Sequence, residues 1–164
     1  MNPWSDATPV RLGEYALARG EGRLSALGLG SCVAVILYEP DAKVGALAHV
    51  VLPSDDAGRS RGPSAKYAPA AVALLMSEMR KAGADPAKMT ARLVGGACMF
   101  ASLVPPGSVH VGQRNVESCR TALQTAGVRT VSEDVGAEYG RSVVIDVADG
   151  SVLVRSVGRG EKRV

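Results

Sequence analysis

Gly28-Leu29-Gly30-Ser31-Cys32 places a cysteine behind small residues and directly before an apolar run, VAVILY at residues 33–38. A cysteine nucleophile needs an accessible Sγ, a base for its proton and N–H donors for a developing oxyanion. Glycine leaves backbone N–H groups open to close approach, so Gly30 and Ser31 are candidates for the oxyanion loop. A free thiol with a pKa of about 8.5 is only a few per cent ionised at pH 7, so a nearby imidazole would matter. The chain has two histidines, His49 and His110. His49 lies in a second apolar run at residues 44–52 (VGALAHVVL), and Glu39-Pro40-Asp41-Ala42-Lys43 between the runs reads as a turn. The two runs therefore predict a β-hairpin. Pairing Leu37 with Val44 sets Cys32 directly opposite His49 on one face, at a Cβ separation of ~4.5–5.5 Å. A slip of one residue would carry His49 to the other face. His110 sits in a Pro-rich segment with no comparable constraint. The pair permits thiol–imidazole hydrolysis of an amide or ester. The same residues also fit a buried small hydrophobe and a hydrogen-bonded core imidazole, and the spacing leaves both readings open. A phosphate cradle is disfavoured, because GLGSCV lacks the third glycine of a dinucleotide fingerprint and the GK[ST] of a P-loop.

The elements that must position these residues are short and mixed in type. An amphipathic helix is expected over residues 67–82, with Pro69 in its first turn and Gly83 as its stop. A second helix is expected over 114–126, with Val116, Cys119 and Leu123 on one face. Further strands are expected at 90–94, 128–132, 142–147 and 152–157. Residues 53–64 and 102–112 read as loops rich in Gly, Ser and Pro. The order does not alternate strictly between strand and helix. It favours an α+β sandwich of mainly antiparallel β-sheets with helices packed on one side.

At 164 residues the chain suits a single domain over 1–164, with flexible ends at about 1–9 and 158–164. Aromatic residues make up 4%, so the core must rest on aliphatic side chains. A net charge of +3 is too mild and too dispersed to argue for nucleic acid. No apolar run is long enough to insert in a membrane, and the first residues lack the pattern of a signal peptide. Cys32, Cys98 and Cys119 are odd in number and fit no zinc spacing, so the expectation is a cytoplasmic protein with free thiols and no metal.

Residues 28–35 (GLGSCVAV) and 45–53 (GALAHVVLP) closely resemble the CheD family of bacterial chemotaxis proteins. The resemblance continues through Lys66-Tyr67-Ala68, residues 95–100 (GGACMF), residues 112–117 (GQRNVE), Ser142-Val143 and Leu153-Val154-Arg155. It implies a protein-glutamine glutaminase that needs no cofactor. Its substrates would be selected glutamines of methyl-accepting chemotaxis receptors, hydrolysed to glutamate with release of ammonia. Some members also hydrolyse receptor glutamyl methyl esters. By this resemblance Cys32 is the nucleophile and His49 the general base. The family's third catalytic residue is a threonine six positions before the cysteine, where this chain has Ala26. A methyl group cannot hydrogen-bond to imidazole. Another group must orient His49, or the dyad works unaided, or activity is reduced. The last case leaves a binding module that engages receptors or the CheC phosphatase. Met99 and Phe100 are the candidate anchors for such partners, since the family segment is similar to the receptors' own recognition sequence. From composition alone, Phe100 would read as core. Cys98 takes no catalytic role, and Cys119 reads as core. Arg114 and Asn115 fit a cap, a core hydrogen bond or a substrate contact equally well.

Overall fold

The run at Val33–Glu39 is apolar without alternation because both faces of the strand are covered. In the computed structural model, which describes residues 2–55, 58, 62 and 64–164, every residue of this strand is buried. Val33, Val35 and Leu37 face two helices, while Ala34, Ile36 and Tyr38 face a second sheet. In chain order the strands are β1 (Thr8–Pro9), β2 (Tyr15–Arg19), β3 (Arg23–Leu29), β4 (Val33–Glu39) and β5 (Val44–Val50). They are followed by α1 (Ala68–Lys81), β6 (Thr90–Gly95), α2 (Val111–Thr125) and β7 (Arg129–Val135). The chain ends with β8 (Arg141–Asp146), β9 (Ser151–Ser156) and β10 (Gly160–Arg163).

One sheet runs β1-β3-β8-β9-β10 and the other β2-β5-β4-β6-β7. Pairing is antiparallel except between β1 and β3 and between β6 and β7. The architecture is the α+β sandwich expected from the sequence. Leu24, Leu29, Ile36, Leu47, Val143 and Ile145 fill the space between the sheets. On the outer face of the β4 sheet, α1 contributes Val72, Leu75 and Met79, and α2 contributes Val116, Cys119 and Leu123. Burying each such aliphatic side chain stabilises the fold by roughly 1.5–3 kcal/mol. Cys119 is thus a core residue.

The hairpin register differs from the expected one by two residues. Glu39 pairs with Val44, and the ladder runs to Val33 opposite Val50. The turn is four residues, not six, because the buried Glu39 carboxylate accepts the N–H of Asp41 at 2.6 Å and of Ala42 at 3.3 Å. Lys43 closes it with a φ of 50°. A shift of two keeps Cys32 and His49 on the same face, since side chains alternate with period two.

α2 begins three residues earlier than its apolar stripe indicates, since His110 caps it by accepting the Gln113 N–H at 3.2 Å. Part of the loop expected at 53–64 lies outside the described residues. Where a flexible C-terminal end is expected, β10 pairs with β9. Near the other end, Trp4 donates its indole N–H to Glu161 at 3.0 Å.

A buried ion pair joins β7 to β8. The Arg141 side chain is fully buried and bonds the carboxylate of Asp134 at 3.0 Å, the Asp134 carbonyl at 2.7 Å and the Gly136 carbonyl. Arg141 pairs with Leu29, so these bonds tie the β7–β8 connection to the strand that leads into Gly30. Arg141→Met should lower unfolding free energy by about 3 kcal/mol, because it leaves the buried Asp134 carboxylate with only Lys162, at 3.3 Å, and removes the donor from the Asp134 and Gly136 carbonyls. Urea unfolding at neutral pH measures this; a loss below about 1 kcal/mol would show that the pair contributes little.

Candidate active site

Cys32 stands at the mouth of β4, one residue before the ladder begins. Close backbone packing fixes the residues around it. Gly95 adopts a φ of 117°, and a Cβ there would lie 2.2 Å from the Cys32 carbonyl oxygen. A Cβ on Gly112 would lie 2.5 Å from the Ala97 carbonyl oxygen, so glycine lets the start of α2 seat against this loop. The carbonyls of residues 30–32 are all engaged. Gly30 accepts from the Ala97 N–H at 2.8 Å, Cys32 from the Gly96 N–H at 2.8 Å, and Ser31 from Asn115 Nδ2 at 2.9 Å. In a trans peptide the N–H points opposite to the C=O. The N–H groups of Ser31 and Cys32 are therefore turned away from these contacts.

His49 is 4% exposed and lies on the face of β5 that meets the other sheet. Its Nδ1 is 3.0 Å from the carbonyl oxygen of Val10. A carbonyl can only accept, so Nδ1 carries the proton and Nε2 presents a lone pair. Nε2 is buried and has no hydrogen-bond partner among the described residues. The segment that supplies Val10 is held on both sides. The Val10 N–H donates to the Ser25 carbonyl of β3 at 2.7 Å, and Glu14 and Gly13 exchange backbone bonds of 3.0 Å with His49. In the observed register Ala34 is opposite His49, and Cys32, two residues before Ala34 and packed against the same inter-sheet cluster, lies diagonal to it. Such neighbours have backbones ~7–8 Å apart, within reach of a side chain as long as imidazole.

Ala26 is fully buried on the inner face of β3 and offers no polar atom. Ser25 lies on the opposite face of that strand. Met99 and Phe100 are 52% and 72% exposed, so Phe100 is not core. Met99 packs over Gly30, where a Cβ would meet its sulfur at 3.1 Å. A cavity of about 260 Å³ runs between Ser31, Met99, Phe100 and Val111, and the exposed Leu103 and Val109 belong to the same stretch of chain. Cys98 and His110 line this cavity too. Of the open pair, Arg114 is exposed on α2, while Asn115 is buried and makes the core hydrogen bonds. Sequence reasoning missed Val10, whose contribution is a main-chain oxygen.

Burial pushes the Cys32 thiol up from its ordinary value, and its own backbone N–H offsets part of that rise. Burial thus favours the protonated thiol over the thiolate. A thiolate here would need a base to take the thiol proton, and His49 Nε2 on the same face has an unengaged lone pair.

The family model described as CheD chemotactic sensory transduction matches residues 51–156. A chemoreceptor glutamine deamidase CheD of Thermotoga maritima is 43% identical over 153 residues, covering 93% of this chain and 94% of the relative. A probable chemoreceptor glutamine deamidase CheD of Thermococcus kodakarensis is 41% identical over 152 residues, again 93% and 94% of the two chains. No helix among the described residues is long and apolar enough to cross a membrane.

The raised thiol fixes a pH profile. Alkylation of Cys32 by iodoacetamide, followed by peptide mass spectrometry, should rise through a midpoint above the ~8.5 of a free cysteine. A midpoint at or below about 7 would mean a preformed thiolate and would contradict the burial argument.

Proposed function

The chain belongs to the CheD family, and on that premise we propose that it deamidates glutamine side chains of chemotaxis receptors through Cys32 and His49. The observation that carries the reading is the 3.0 Å contact between His49 Nδ1 and the Val10 carbonyl oxygen. With Nδ1–H committed to Val10, the buried Nε2 is left as a base on the face that Cys32 shares.

The steps follow from this arrangement. His49 Nε2 takes the Cys32 proton as Sγ attacks the side-chain amide carbon of a receptor glutamine. The carbonyl π bond becomes an oxyanion, and the outward N–H groups of the loop formed by Gly30, Ser31 and Cys32 stabilise it. The imidazolium gives its Nε2 proton to the departing nitrogen, the C–N bond breaks, and ammonia leaves a thioester. Water then attacks the thioester while His49 takes one of its protons. The C–S bond breaks, the thiol is restored, and the receptor carries glutamate. No cofactor or metal enters. Val10 supplies the orienting contact that Ala26 cannot, which favours an enzyme over a binding module. We place the reaction in the cytoplasm.

Met99 and Phe100 form the docking edge in this reading. Both are exposed beside the loop that carries Cys32, and an exposed aromatic next to an apolar cavity suits a helix of the receptor or of the CheC phosphatase.

A receptor cytoplasmic fragment tests the assignment. Peptide mass spectrometry should find glutamine converted to glutamate by the wild type and not by Cys32→Ala. His49→Gln should lower kcat by about 10²–10⁴-fold. Undiminished ammonia release by Cys32→Ala would remove the nucleophile from the scheme. Phe100→Ala should weaken fragment binding about tenfold with kcat nearly unchanged. Unchanged affinity would remove Phe100 from the docking edge.

A further inference from the structure

Asn115 is fully buried on the inward face of α2. Its Nδ2 donates to the carbonyls of Ser31 and Val51, each at 2.9 Å. Both acceptors are carbonyl oxygens, so the amide must present nitrogen and not Oδ1 to them. Their positions in the fold are specific. Ser31 immediately precedes Cys32, and Val51 lies two residues beyond His49. The β4–β5 ladder ends at Val33 and Val50, so Asn115 bridges the strands where the next pair would form.

The Ser31–Cys32 peptide gives this clamp a chemical consequence. With the Ser31 carbonyl drawn inward to Asn115, the Cys32 N–H must point to the other side of the peptide plane. That N–H is on the same residue as the attacking sulfur, and a carbonyl attacked there develops its negative charge nearby. At Gly30 and Cys32 the carbonyls are held by backbone N–H groups, whereas at Ser31 the holding group is a side chain.

We infer that Asn115 is a positioning residue for deamidation. By holding the Ser31 carbonyl inward, it aims the Cys32 N–H at the oxyanion of the tetrahedral intermediate. By holding Val51, it keeps the strand that carries His49 beside Cys32. The inference rests on the Cys32–His49 reading above.

Two reactions of the same sulfur separate this role from a merely structural one. Deamidation passes through an oxyanion and needs the aimed N–H. Alkylation by iodoacetamide displaces iodide, forms no oxyanion and needs only the ionised sulfur. The experiment compares wild type with Asn115→Ala and Asn115→Ser on the receptor fragment. The expected result is a kcat lower by about 10²-fold with KM changed less than about threefold. Alkylation of Cys32 at alkaline pH should stay within about threefold of wild type, since it does not draw on the oxyanion donor. Unchanged kcat in a folded variant overturns the inference, as does an equal loss in both reactions.

If neither variant folds, hydrogen exchange in the wild type decides. The Cys32 N–H should exchange readily in the free protein and become protected when a glutamine-aldehyde peptide adds to the thiol as a hemithioacetal. A Cys32 N–H already protected in the free protein, or left unprotected in the adduct, overturns the inference. The underlying reading fails separately, if deamidation survives in Cys32→Ala.

Discussion

The site depends on one hydrogen bond, from His49 Nδ1–H to the carbonyl oxygen of Val10. An imidazole only 4% exposed between two sheets needs a partner for its N–H, because an unsatisfied buried donor costs about 1–3 kcal/mol. A backbone carbonyl meets that need without titrating. It also decides which nitrogen is left bare. The segment that offers this carbonyl is held by β3 on one side and by β5 on the other, so the bond links the two layers of the sandwich. The layering of the fold and the bare Nε2 are thus consequences of the same contact.

In the proposed reading, the same contact accommodates Ala26. A side-chain hydroxyl from β3 and a main-chain oxygen just before β2 are two ways of holding one imidazole. The main-chain solution leaves β3 free to carry a methyl group, which packs fully buried against the inner face of the other sheet. Around the cysteine the constraint is space. Gly95 and Gly112 let three backbone segments meet at distances that a Cβ would forbid, and the carbonyls of residues 30–32 are consumed in that packing. What remains outward is N–H, which is the polarity an oxyanion requires.

Much of this was legible in the sequence, and the rest was not for identifiable reasons. The GLGSC segment, the two apolar runs and the helical stripe of Val116, Cys119 and Leu123 express local preferences, so the strands and helices they indicate are present. The hairpin register was misjudged by two because the deciding group is the Glu39 carboxylate, which folds back onto its own turn. β2 and β3 carry a weaker signal, since Tyr15–Arg19 holds only four apolar residues before Arg19, and Arg23–Leu29 is interrupted by Ser25 and Gly28, so neither has the long apolar run of β4. Val10 left no signal at all, because any residue has a carbonyl. Asn115 was visible as a residue but not as a role. Its acceptors are main-chain oxygens 84 and 64 residues away, and only the tertiary fold brings them together.

The central claim is the tautomer of His49, and nitrogen NMR of the imidazole reads it directly. With ¹⁵N-labelled protein at neutral to mildly alkaline pH, long-range proton–nitrogen correlations assign the two ring nitrogens. The account predicts a protonated Nδ1 and an unprotonated Nε2 in wild type. A proton on Nε2, with Nδ1 bare, would leave Val10 unbonded and His49 unable to accept the Cys32 proton at that nitrogen, and would contradict the account.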